Sequence, residues 1–354
     1  MFLDWLRGLA AIIMLQGHVF HSFTRPDQRE HGFYIYSQFL GGQAAAVFLF
    51  LTGITFGLGI ARRHELSPLH RVFAALKRAR YLFLLAILFR LQLFLTGWGH
   101  TQLKDLLQVD VLNVMGVTTA LLSLIALLPD ALARFRWAAL AGIAIAGVAP
   151  LMSKLDTSIA PGFLLGYLVP GVQFSIFPWG SFIAFGLACG SLIPLVPRES
   201  SRHSWNRITQ WAALLGFACI LLGIYCAQLP FSIYDGAEFW LDSPALIACK
   251  LGTTLLMAAA AFLWTEYLNP GPSWVRLLGT TSLAVYWVHV ELVYGNSLWF
   301  WKEQLDAWHS LAAVVGVVML MTGMSWAIQR VSWREWWRGI VSSGRIAPVN
   351  SDAA

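Results

Sequence analysis

Arg7 and His18 stand eleven positions apart in the apolar segment Leu3–His18, LDWLRGLAAIIMLQGH. On a helix, positions 7, 11, 14 and 18 share one face, which separates the guanidinium from the imidazole by about 16 Å. A guanidinium presents a planar fork of donors that matches phosphate oxygens. An imidazole, with an ordinary pKa of about 6.5, is suited to taking a proton from an incoming nucleophile. The pair therefore suits a donor that is polyanionic at one end and reactive roughly 15–20 Å away. Acyl-coenzyme A has that shape, with a charged nucleotide, a thin pantetheine arm and a terminal thioester.

Other polar residues fall in apolar surroundings. Asp4 lies beside Arg7, Arg90 interrupts Leu82–Leu95, and Asp110 sits in Leu106–Gly116, LLQVDVLNVMG. Lys250 follows Pro244, and His289 and Glu291 occur together in Ser282–Leu292, SLAVYWVHVEL. A charge at the centre of a membrane helix costs about 2.5–3.5 kcal/mol on insertion scales, so each is a candidate for function. Each also has a plainer reading. Asp4 and Arg7 form an i, i+3 pair that suits a surface, Arg90 and Lys250 can pair with Asp110 or Glu291, and His289 can be a helix contact. Negative charge developing on a thioester oxygen would need donors. The candidates are the amides around Gly41, Gly42 and Gln43, or Arg90.

The elements that position these residues follow from composition. Only 12% of the 354 residues are charged, while 58% are hydrophobic. That is half the charge of an ordinary soluble domain, about 25%, and it cannot clothe a water-facing surface. Disordered chains and disulfide scaffolds are excluded with it. Stretches long enough to span a bilayer occur at about 5–23, 38–60, 80–96, 111–128, 135–151, 175–195, 209–228, 244–265, 278–296 and 310–329. The expected fold is all-α, a polytopic bundle of about ten spans, with one transmembrane domain over 1–331 and an interfacial tail over 332–354. Most of the 24 Lys and Arg fall in alternate loops, which puts both termini in the cytoplasm and leaves no nucleic-acid signal in the net charge of +6. With that orientation the polar residues inside the spans gather toward the outer face, opposite Arg7. The start MFLDWLRG reads as a retained first span and not a cleaved signal. The four cysteines lie in spans without metal-like spacing and read as packing residues. Gly53 and Gly57 form a small-xxx-small face suited to packing within the chain or between copies in a homo-oligomer.

Four blocks, Leu3–His18, Gly41–Gly59 (GGQAAAVFLFLTGITFGLG), Phe177–Gly190 (FPWGSFIAFGLACG) and Leu277–Leu292 (LLGTTSLAVYWVHVEL), resemble in the same order those of the heparan-α-glucosaminide N-acetyltransferase-like family. The likeness is to its compact bacterial members, within the wider transmembrane acyltransferase superfamily. It implies a bundle that takes acetyl-coenzyme A from the cytoplasm and acetylates an amino sugar or other glycan on the far side, in a bacterial inner membrane. In the related acyltransferase-three branch an arginine and a histidine spaced like Arg7 and His18 are essential. In the heparan-type enzymes the active-site histidine lies in the first outer loop, ten residues before an acid. Here Gly42 stands at the place of that acid, and His31 matches the histidine only with a one-residue gap. His18 is the preferred general base, His31 the alternative, and His21 a weaker third.

The expected function is acyl transfer to a glycan or glycolipid acceptor among membrane lipids. Arg7, with Asp4, holds the donor, and Arg90, Asp110 and His289 shape the outer site. Loop aromatics (Phe33, Tyr34, Tyr36, Trp98, Phe239, Trp240) suit stacking on a sugar. A transporter or flippase with Arg90, Lys250 and Asp110 along its path is the alternative; it would favour paired repeats, and none is visible.

Overall fold

A computed structural model describes residues 2–30, 32–97, 101–155, 162–171, 174–196, 201–234, 236–269 and 271–330. The tail expected at 332–354, His31 and Trp98 lie outside the described residues. The chain is all-helical: α1 Phe2–Phe23, α2 Phe33–Ala61, α3 Pro68–Thr96, α4 Val111–Leu122, α5 Ala131–Met152 and α6 Gly162–Leu168, followed by α7 Ile176–Leu192, α8 Ser201–Ala227, α9 Pro244–Leu263, α10 Trp274–Thr280, α11 Ser282–Tyr294 and α12 Ala307–Arg330. Among the described residues, seven segments are long and apolar enough to cross a membrane: Phe33–Ala61, Leu103–Leu127, Ala131–Met152, Ile176–Leu195, Arg202–Ala227, Pro244–Leu268 and Ala307–Arg330. Helices also occupy the three remaining expected stretches, as α1, α3 and the α10–α11 pair.

Where boundaries depart from expectation, local chemistry explains the difference. The third stretch was expected from residue 80, but α3 begins at Pro68, where Ser67 accepts the His70 amide as N-cap and proline takes the first turn. Its first turns are too charged for a hydropathy reading to include. The second helix starts at Phe33 and not near 38, directly after Gly32 at φ +57°. The ninth stretch is divided at Thr281, whose hydroxyl turns to the Leu277 carbonyl and pairs with Ser325 of α12. The short α6 falls in a segment expected to be a loop.

Helices inside lipid gain little from apolar burial against one another, so close approach at small residues drives their packing. Gly53 and Gly57 meet α7, where an added Cβ would fall 2.1 Å from the Ile183 carbonyl oxygen and 2.8 Å from the Gly190 carbonyl carbon. The small-residue face is therefore used within the chain. At the crossing of α1 and α10, a Cβ on Gly8 would lie 1.8 Å from the Val275 carbonyl oxygen, and one on Gly279 would lie 1.7 Å from that of Asp4. The first helix thus sits centrally, packed on α2, α9, α10, α11 and α12. The bulky apolar side chains of α8, including Trp211, Phe217 and Leu221, point outward and are well exposed, as a lipid-facing helix requires.

Gly8→Ala should lower the thermal midpoint of the detergent-solubilised protein, by an overpacking penalty of about 1–3 kcal/mol. Gly316→Ala, where a Cβ meets nothing within 4 Å, should be neutral or slightly stabilising. Equal midpoints for the two variants would show that the α1–α10 crossing is not tight.

Candidate active site

Two loops hold the end of α1 against α11 and α12. The Leu305 amide donates to the Phe23 carbonyl and the Arg25 amide to the Leu305 carbonyl, each at 2.9 Å. The Ser22 hydroxyl donates to the Val293 carbonyl at 2.8 Å, and the Thr24 and Ser310 hydroxyls pair at 3.0 Å. Arg29 adds an ion pair to Glu303 at 3.0 Å. This clamp brings together two histidines that are 271 positions apart: His18 Nδ1 lies 2.8 Å from His289 Nε2. Their rings stack with centroids 5.1 Å apart and 19° between planes.

The protonation pattern of the neutral pair follows from its partners. His289 Nδ1 lies 2.8 Å from the Val285 carbonyl oxygen. A carbonyl can only accept, so this nitrogen carries the hydrogen. His289 Nε2 is then the lone-pair nitrogen, and His18 Nδ1 must donate to it. His18 Nε2 is left as an unprotonated nitrogen with no protein partner among the described residues, and His18 lines a cavity. A carbonyl, a fully buried histidine and a base in series are the arrangement by which a second group orients a general base. The sequence supplied both histidines; only the fold pairs them.

The cavity, of about 1240 Å³, is lined by Arg7, Met14 and His18 of α1 together. Of the helical face read from positions 7, 11, 14 and 18, three residues thus line the wall, and Ala11 is buried away from it. At one end Arg7 is joined by Arg78, and at the other His18 is joined by His21, Glu291 and Tyr294. Arg7 Nη1 also pairs with Asp4 at 3.2 Å. Asp4 itself does not line the cavity. Arg78 Nη2 donates to the Thr55 hydroxyl at 2.7 Å, and no carboxylate pairs with it among the described residues. Two guanidiniums with one acid between them make an electropositive end. Reading the bases around 62–80 as topological concealed Arg78, because the early start of α3 was not apparent.

Arg90 and Asp110 line the same cavity. Arg90 Nε lies 3.2 Å from Asp110 Oδ2, and Arg90 Nη1 donates to Gln108 Oε1 at 2.9 Å. Asp110 also N-caps α4, accepting the Asn113 amide at 3.0 Å while its own amide donates to Asn113 Oδ1. Breaking such a buried pair strands a charge, and this one ties the wall of α3 to the start of α4. These two residues are occupied with each other and shape the site.

Several expectations are corrected. Gly41, Gly42 and Gln43 lie well inside α2 and not at its start. Their amides are taken up by the helix ladder, so they are not free to receive an oxyanion. Lys250 pairs with neither Asp110 nor Glu291: its Nζ donates to the Gly42 carbonyl at 2.7 Å and lies 5.7 Å from the Trp179 ring centre. Glu291 accepts instead from the Thr96 hydroxyl at 2.9 Å. None of the described loop aromatics expected to meet a sugar lines the cavity. Tyr286 and Tyr294 line it instead. A search restricted to charged residues and histidines passes over both, although they share the Ser282–Leu292 block or adjoin it.

No match arises among curated proteins. The acyltransferase-domain model of acyltransferase family 3 matches residues 2–330, which takes in the whole helical bundle and both ends of the cavity. The chain therefore belongs to acyltransferase family 3, as an integral membrane acyltransferase.

Proposed function

We propose that this protein moves an acetyl group from cytoplasmic acetyl-coenzyme A to a hydroxyl or amine of a glycan or glycolipid on the outer face of a bacterial inner membrane. The observation that carries the reading is one continuous cavity with two guanidiniums at one end and an oriented histidine at the other. The membership in a membrane acyltransferase family supports the reaction class. The alternation of basic loops supports the orientation, with Arg7 and Arg78 toward the cytoplasm. The resemblance of four blocks to those of heparan-type enzymes supports acetyl as the group and an amino sugar as the acceptor.

In this reading Arg7 and Arg78 bind the phosphates of the donor, and Asp4 holds Arg7 in position. The pantetheine arm follows the α1 face past Met14 to the dyad. His18 Nε2 takes the proton of the acceptor as it attacks the thioester. The resulting imidazolium is stabilised because its Nδ1–H already donates to His289. The wall made by Arg90, Asp110 and Gln108 borders the acceptor. A covalent acyl-histidine relay uses the same residues, and labelled donor without acceptor distinguishes it by acyl-enzyme formation.

Purified protein in vesicles, supplied with labelled acetyl-coenzyme A and soluble amino-sugar or glycan acceptors, should yield acetylated acceptor. His18→Ala should lower kcat by about 10²–10⁴-fold, the usual contribution of a general base. His289→Ala should lower kcat while leaving the donor KM unchanged. His31→Ala separates the two candidate bases, since a loss there with His18→Ala still active would transfer the role to His31.

The donor end is tested separately. Arg7→Ala and Arg78→Ala should each raise the donor KM by about 10- to 150-fold, the loss of one charge-assisted contact worth about 1.5–3 kcal/mol. Arg7→Lys should recover part of this. Substrate crossing the membrane at the same rate without acyl donor would favour a transporter instead.

A further inference from the structure

Three hydroxyls of the cavity wall, those of Tyr81, Ser282 and Tyr286, make no hydrogen bond among the described residues, and of these Tyr286 is the one packed on His289. Those of Thr52, Thr55, Thr96, Thr101 and Tyr294 each make a hydrogen bond to protein. The Tyr286 hydroxyl makes none among the described residues, although Tyr286 lies in the wall. Tyrosine hydroxyls in such surroundings ordinarily find a partner. Its ring is held by Phe89, with centroids 5.1 Å apart, and stands edge-on to His289 at 5.8 Å and 61°. Tyr286 precedes His289 by three residues on α11, so both project from the same face. Ser282, also in the wall, lies seven residues before His289, about 10 Å along the helix. Tyr286 lines the same cavity as Arg90 and Asp110 and packs on His289 of the dyad. The two groups expected to supply an oxyanion donor are otherwise engaged: the Gly41–Gln43 amides are in a helix, and Arg90 is held by Asp110 and Gln108.

We propose that the Tyr286 hydroxyl is the catalytic donor that receives the developing charge on the thioester oxygen, an inference that rests on the acyl-transfer reading above. The acceptor oxygen or nitrogen bonds to the thioester carbon and gives its proton to His18 Nε2. The carbonyl electron pair moves onto the oxygen, which accepts a hydrogen bond from Tyr286 without taking its proton. As the pair returns, the carbon–sulfur bond breaks and the coenzyme A thiolate recovers the proton from His18. Donor, acceptor and enzyme are balanced at the end of the cycle, and the tyrosine keeps its hydrogen throughout.

Tyr286→Phe removes a hydroxyl with no protein partner while leaving the ring packed on Phe89 and His289. A purely structural tyrosine would tolerate that change. The expected result is an unchanged thermal midpoint, an unchanged donor KM and a kcat reduced about 100-fold, the effect of losing one oxyanion donor. A second readout does not need turnover. Acetyl-coenzyme A labelled with ¹³C at the carbonyl and bound without acceptor should show its carbonyl stretch at lower wavenumber in the wild type than in Tyr286→Phe. Wild-type kcat in Tyr286→Phe, or an identical carbonyl band in both proteins, would overturn the assignment. If His18→Ala is inactive while Tyr286→Phe is fully active, the tyrosine assignment falls and acyl transfer stands. If wild-type protein neither binds nor uses acetyl-coenzyme A, both fall together.

Discussion

A neutral imidazole inside an apolar bundle has one nitrogen that must donate and one that must accept. The Val285 carbonyl resolves this for His289, and His289 in turn resolves it for one side of His18. Each step has only one allowed direction of donation, so a backbone carbonyl on α11 determines which nitrogen of a histidine on α1 is left bare. That nitrogen belongs to the cavity residue with which the proposed chemistry begins. The geometry depends on α1 and α11 being held to within a few tenths of an ångström of their present distance.

Two features hold them. At one end of α1, glycine-mediated contact with α10 brings backbone against backbone and admits no side chain between. At the other end, the Glu303 and Leu305 amides donate to carbonyls of Ser22 and Phe23, and side chains from α1 reach α11 and α12. The first helix is therefore fixed at both ends while its middle borders open space. Lipid provides no hydrophobic incentive for helices to close that space. Several charged residues on its wall are engaged by protein partners, as Arg90 is by Asp110 and Arg78 by Thr55, while His18 Nε2 and the Tyr286 hydroxyl are left to face the cavity. Arg7 and Arg78 stand together at one end of it, which suits a donor that is polyanionic at one end.

Much of this architecture was legible in the chain. Long apolar stretches must become helices in a bilayer because no other local structure satisfies the backbone there, and helices occupy every expected stretch. Hydropathy fails where a helix extends into charged residues, as α3 does from Pro68, or where a side chain interrupts one, as at Thr281. Arg78 was passed over for the first reason. Tyr286 was passed over because an uncharged phenol leaves no mark in a search for costly charges.

By itself the sequence determined the helical class and the face shared by Arg7, Met14 and His18, because the α-helical period is a local property. It also singled out Arg90, Asp110 and His289, because placing such groups among apolar neighbours is energetically unfavourable and calls for a reason. Only the tertiary structure decided that Asp110 caps a helix and pairs with Arg90, that Lys250 binds a carbonyl of α2, and that His18 meets His289. Those outcomes depend on hydrogen-bond distances between residues far apart in the chain. No local period or propensity encodes them, since they arise from how closely the glycine-lined crossings let the helices approach.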